Sequence, residues 1–124
     1  GLAPRMKLAN TLVLAGLMAQ IAEATAFAEA SGIDRSRALD ILAAGAGQSM
    51  VLTAKRAKLE SGDFSPHFTT SLMLKDLHIL QDLAYAEGRP LFTGAMPREL
   101  FALAVAEGME ALDFSSVYRL FSRR

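Results

Sequence analysis

The chain has no cysteine among its 124 residues and only two histidines, His67 and His78. Without thiols it can form neither a disulfide nor a thiolate zinc site, and a histidine-rich metal centre has too few ligands. An excess of either charge is also missing, since 13 lysines and arginines balance 13 aspartates and glutamates. That balance leaves no electrostatic footprint for nucleic acid or an anionic membrane, so neither partner is expected. The start lacks the basic, apolar and small-residue regions of a secretory signal. The uncharged run from Leu8 to Ala22 is short for a membrane span and contains Asn10, Thr11 and Gln20, so it reads as a core helix. The expected location is cytoplasmic.

What is present is helical punctuation around apolar periodicity, with weak strand signals, and the fold class is all-α. At this length a single domain, 1–124, can bury a continuous core. Pro4 suits a first turn, so helix 1 is predicted over residues 4–30 or 4–31, where Gly32 supplies a left-handed stop. Its apolar residues, Leu8, Leu12, Val13, Leu14, Leu17, Met18, Ile21 and Phe27, extend around most of the circumference, so neighbours must cover several sides. Asp34 is positioned to cap a second helix that Gly45-Ala46-Gly47 ends, and Ser49 to cap a third over residues 50–60. A loop follows, pinned by Phe64 and Phe68, and the fourth helix, 71–87, places Leu72, Leu74, Leu77, Leu80 and Leu83 at helical spacing. The fifth runs from Thr93 or Met96 to Glu107, with Pro97 near its first turn; Asp113 or Ser115 caps a last short helix.

Chemistry is concentrated at the start. Lys7 is followed three and four residues later by Asn10 and Thr11, which projects the three side chains toward one helical face. An ammonium beside a dry pocket can donate a proton or polarise a carbonyl; alone, a first-turn lysine is ordinarily a solvated charge. Lys75-Asp76, after the Phe64 to Thr70 loop, is a second candidate or an ordinary helix surface. Gly45-Ala46-Gly47-Gln48-Ser49 could offer amides to an anion, but no strand precedes it, so it is not a dinucleotide fingerprint and reads better as an interhelix turn. His67 and His78 lack metal-ligand spacing.

The segment Gly1-Leu2-Ala3-Pro4-Arg5-Met6-Lys7-Leu8-Ala9-Asn10 resembles the lead into the catalytic-lysine helix of the β-hydroxyacid dehydrogenases, the family of 3-hydroxyisobutyrate dehydrogenase and tartronate semialdehyde reductase. Glu23-Ala24, Ala30 to Asp34, Ser49, the Gly62-Asp63-Phe64 to Phe68 loop, Lys75-Asp76-Leu77 and Asp113-Phe114-Ser115 resemble its later landmarks in order. Thr11 stands where many members have Asn or Gln, and Ala3 where a second Gly is common.

The resemblance implies a helical domain around one long, largely buried first helix, of the 6-phosphogluconate dehydrogenase C-terminal-domain-like fold. It assigns Lys7 as catalytic lysine, Asn10 and Thr11 as substrate-orienting, and Lys75 as cofactor-contacting. The implied cofactor is NAD or NADP, held mainly by a Rossmann domain that this chain does not contain. The implied partners are a small hydroxyacid or semialdehyde substrate, that N-terminal domain, and a second copy of the chain. The alternatives are a non-catalytic helical dimerisation module and a domain of an imine or other reductase on the same scaffold; imine reductases usually lack the lysine at this position, so Lys7 favours a hydroxyacid.

Overall fold

Helix α1 (Leu2–Ala30) starts two residues before Pro4 and ends at the expected place. The early start costs little, because Pro4 lies within the first turn, whose amides have no intrahelical acceptor. At the other end Gly32, at φ 93°, reverses the chain. Its N–H donates to Glu29 O, and that of Ile33 to Ala28 O, both at 3.0 Å. This pattern fills the last carbonyls of the helix, and a β-carbon would strain it. The computed structural model describes residues 1–122.

Each later helix begins on a side-chain cap where the sequence offers one. For α2 (Arg35–Ala44) the Asp34 carboxylate accepts from Arg37 N at 3.4 Å, and for α3 (Met50–Ser61) Ser49 Oγ accepts from Leu52 N at 3.0 Å. Ser49→Ala should therefore lower the stability of the domain by about 1 kcal/mol, measured as a urea midpoint shift at constant slope. Helix α4 (Thr70–Ala86) begins one residue earlier than expected, capped by Thr69. Its first three amides are all satisfied: Thr70 N by Leu112 O at 2.8 Å, Ser71 N by Glu110 O at 3.1 Å and Leu72 N by Thr69 Oγ1 at 3.2 Å. In α5 (Phe92–Ala106) Pro97 is the sixth residue, one deeper than a start at Thr93 gives and four deeper than a start at Met96. A 3-10 turn (Phe114–Val117) capped by Asp113 leads into α6 (Tyr118–Ser122).

The other helices pack around α1. Its inner face is made of small residues and one methionine: Ala15, Met18 and Ala22 have no exposure at all. Against it lie Leu39 from α2, Leu52 and Leu59 from α3, Met73 and Leu77 from α4, Phe101 and Ala104 from α5, and Phe114 and Val117 from the 3-10 turn. Helix α5 approaches α1 closely at Gly94, where an added β-carbon would sit 2.8 Å from Leu12 Cδ1. By length and composition α1 could cross a membrane, but here it forms the centre of a helical domain.

Three apolar positions depart from expectation. Leu72 is 46% exposed, because Met73 and Leu77 take the inner face of α4. Val13 and Phe27 on α1 are 55% and 73% exposed, so the neighbours cover this helix on fewer sides than its composition asks for.

Candidate functional site

Lys7 sits in the second turn of α1 with its side chain exposed, and Asn10, one turn on, is exposed beside it. Thr11 turns the other way: it is 7% exposed and its hydroxyl donates to the Lys7 carbonyl at 3.1 Å. The structure therefore brings Lys7 and Asn10 together on an open face, while the hydroxyl proton of Thr11 is committed to the backbone of the lysine's own turn. Among the described residues no side chain pairs with the Lys7 ammonium. Arg5, by contrast, is paired with Glu87 at the far end of α4.

That ion pair shows which ends of the two helices lie together. Arg5 meets the C-terminal end of α4, while at the other end Thr70 Oγ1 lies 3.3 Å from Ser116 Oγ and the Tyr118 hydroxyl donates to Glu29 near the end of α1. Helices α1 and α4 run antiparallel in direct contact. Lys75 is exposed in the second turn of α4, again without a partner among the described residues, and Asp76 beside it is half-buried. A groove of about 890 Å³ lies at the opposite end of α1 from Lys7, between Gln20, Phe27, Tyr118 and Phe121, and none of the four candidate residues lines it.

The weaker candidates resolve simply. The 45–49 segment is an interhelix turn in which Gln48 N donates to Gly45 O at 3.2 Å and Ser49 N to the Gln48 side chain at 2.7 Å. His67 and His78 are exposed, one in a loop and one on α4, and no metal-ligating cluster occurs among the described residues.

One charged pair is missed by sequence reasoning, which offers Asp113 only as a cap and a landmark and does not single out Lys55. Lys55 from α3 and Asp113 are both buried, at 6% and 0% exposure, and pair at 3.0 Å. Asp113 Oδ1 also accepts from the amides of His67 at 3.0 Å and Phe68 at 3.2 Å. Its Oδ2 accepts from Ser115 N at 3.2 Å and Ser115 Oγ at 2.5 Å. Burial pushes this carboxyl up, but the bonds from Ser115, Phe68, His67 and Lys55 together outweigh it and hold the pKa below the usual carboxylate range. The Lys55 ammonium also lies 5.0 Å from the centre of the Phe114 ring. Asp113 is thus far more than the cap it resembles in sequence, because one carboxylate ties α3, the 62–69 loop and the 3-10 turn together.

Comparison with known proteins gives the family of the fold. The family described as NAD-binding of NADP-dependent 3-hydroxyisobutyrate dehydrogenase matches residues 1–121. The 3-sulfolactaldehyde reductase of Escherichia coli is 34% identical over 118 residues, 94% of this chain and 40% of that protein. The human cytokine-like nuclear factor N-PAC is 32% identical over 121 residues, 98% of this chain and 22% of that protein. Among solved structures, 3-hydroxyisobutyrate dehydrogenase from Salmonella typhimurium superposes with a TM-score of 0.89 at 28% identity, over 94% of this chain and 41% of that one. The Mycobacterium tuberculosis 3-hydroxyisobutyrate dehydrogenase with L-serine gives 0.83 at 28% identity, over 93% and 42%. The chain spans less than half the length of these relatives. On a match running from Gly1 almost to its end, the chain belongs to the 3-hydroxyisobutyrate dehydrogenase family, as that family's all-α domain.

Proposed function

We propose that the chain works as the helical half of an NAD(P)-dependent 3-hydroxyacid dehydrogenase, with Lys7 as its catalytic group. The observation that carries this reading is the exposed Lys7 ammonium, unpaired among the described residues, with Asn10 one turn away on the same open face. A lysine so placed is free to engage an oxygen delivered from outside the domain. In the reducing direction Lys7 Nζ hydrogen-bonds the carbonyl oxygen of a semialdehyde and gives it a proton as the alkoxide develops; in the oxidising direction it takes the hydroxyl proton back. The Asn10 carboxamide donates to the same small substrate and orients it. Thr11 acts on the shape of the turn, through its bond to the Lys7 carbonyl.

Bound nicotinamide supplies or accepts the hydride. Part of what it needs is present, since the Lys75 ammonium, exposed and unpaired among the described residues, suits an anionic or carbonyl-bearing ligand. The strand and glycine-rich turn that cradle a pyrophosphate in a Rossmann domain are not found among the described residues. In this reading NAD or NADP is held mainly by an N-terminal Rossmann domain outside this chain, in a cytoplasmic enzyme whose active site lies between the two domains. Lys75→Ala in the parent polypeptide is expected to raise the KM and Kd for the nicotinamide cofactor while kcat changes little, as fluorescence titration with NADH and NADPH would read. A change in melting temperature alone would return Lys75 to the ordinary helix surface.

We further propose that this domain pairs with a second copy through the uncovered faces of α1, where Val13 and Phe27 stand exposed. A two-fold dimer using the same patch twice is the commonest solution. Sedimentation of the chain should show at least a dimer at micromolar concentration; a monomer throughout the range would end this reading. The alternative, a dimerisation module without catalysis, draws support from the relative named as a nuclear factor. Turnover of 3-hydroxyacids by the parent polypeptide with NAD or NADP separates the two, because the module turns over none.

A further inference from the structure

The buried Lys55–Asp113 pair has no place in the proton chemistry above, and its stability alone does not account for it. Two charges withdrawn from water are costly, and a well-packed apolar pair of similar volume commonly serves a fold as well or better. What an apolar pair cannot do is accept four hydrogen bonds from protein donors on two separate segments, beside the bond from Lys55 on a third. Through His67 N and Phe68 N the Asp113 carboxylate grips the residues immediately before α4. The backbone around it adds to that grip: Asp113 N donates to Phe64 O and Phe114 N to Phe68 O, both at 2.9 Å, while Thr70 N and Ser71 N reach Leu112 O and Glu110 O. Thr70 Oγ1 also donates to Leu112 O at 3.1 Å. The rotation and height of the first turn of α4 are set here, and Lys75 lies one turn further on.

We propose that Asp113 and Lys55 are positioning residues for Lys75: the buried pair fixes the 64–70 segment and, through it, the pose in which α4 presents Lys75 to the cofactor. This rests on the assignment of Lys75 above. Neither residue touches substrate or cofactor; both act through the start of α4.

The test uses the parent enzyme and NADH or NADPH as probe. Lys55→Met with Asp113→Asn removes both charges at once and so avoids stranding one of them. This double variant is expected to weaken cofactor binding about tenfold, the scale of a small displacement of a positioning group, with kcat at saturating cofactor little changed. The same double change in a Lys75→Ala background is expected to weaken binding no further, since its effect is transmitted through Lys75; independent sites would add. If the double variant does not melt cooperatively, Ser115→Ala, which removes only the 2.5 Å bond to Asp113, takes its place with a smaller loss of the same non-additive kind. Unaltered cofactor affinity in a folded clamp variant overturns the inference while leaving Lys75 intact. A loss that adds fully to that of Lys75→Ala also overturns it. If Lys75→Ala by itself leaves affinity unchanged, the assignment of Lys75 falls, and the clamp loses its target.

Discussion

Lys7→Ala in the parent enzyme is expected to lower kcat by about a hundredfold or more, the lower end of what a positioned acid or base contributes. The fold should not register the change. Lys7 is exposed, pairs with nothing among the described residues and sits in a helix where alanine is at least as favourable. Its carbonyl, which Thr11 engages at 3.1 Å, belongs to the backbone and survives the substitution. Lys7→Arg makes the comparison sharper. The guanidinium keeps the charge and can still polarise an oxygen, but it cannot release a proton near neutral pH. If proton transfer is the main contribution, kcat falls almost as far as in the alanine variant; if electrostatic stabilisation dominates, much of it returns. A Lys7→Ala enzyme with undiminished kcat would remove this residue from the mechanism.

Lys55→Met and Asp113→Ala, made singly, are each expected to destabilise the domain by about 3–5 kcal/mol, because each leaves an uncompensated charge or its hydrogen-bond donors in a dry interior. With both changes together the loss should be smaller than the sum, a coupling that chemical denaturation of the four proteins would quantify. The pair also sets the acid limb of the stability profile. Asp113 has a folded pKa below its unfolded value of about 3.9, so its contribution is complete above that value and is lost as pH falls through the folded pKa. Tyr118 acts with the opposite sign. Burial first, then its hydrogen bond to Glu29, pushes its pKa up to about 12, so the stability it brings is complete below an unfolded value of about 10 and is lost as pH rises through about 12. Stability measured against pH should fall at both extremes, and Asp113→Asn should remove this group's part of the acid slope.

The sequence and the structure agree wherever the signal is local. Gly32, Asp34 and Ser49 mark helix ends by chemistry that acts over three or four residues, and each does so in the fold. Thr69 acts in the same way, yet is obscured by Thr70 and Ser71, either of which could also begin a helix. The Lys55–Asp113 pair is of another kind. Its members stand 58 residues apart, and Lys55 lies in the run Thr53-Ala54-Lys55-Arg56-Ala57-Lys58, which reads as a solvated face. Periodicity does not say which of three basic residues turns inward. The apolar girth of α1 poses the converse problem, since hydrophobicity at Val13 and Phe27 does not distinguish a contact within the chain from one outside it. Spacing offers Lys7, Asn10 and Lys75 only as candidates beside an ordinary solvated surface, and their catalytic and cofactor roles come from the family resemblance, because an exposed lysine on a helix has no distinguishing pattern of its own.

The backbone bonds that join residues 64–71 to residues 110–114 have one more consequence. Among the described residues these four, from Thr70, Ser71, Asp113 and Phe114, are the backbone hydrogen bonds that connect distant parts of the chain. An amide within a helix can exchange its hydrogen with solvent when a few turns fray, without disturbing the rest of the protein. These four amides open only when the two segments separate, and that separation dismantles the packing of α4 on the 3-10 turn. Their exchange is therefore expected to follow the cooperative separation of these two segments rather than the fraying of any one helix, which native-state hydrogen exchange would read.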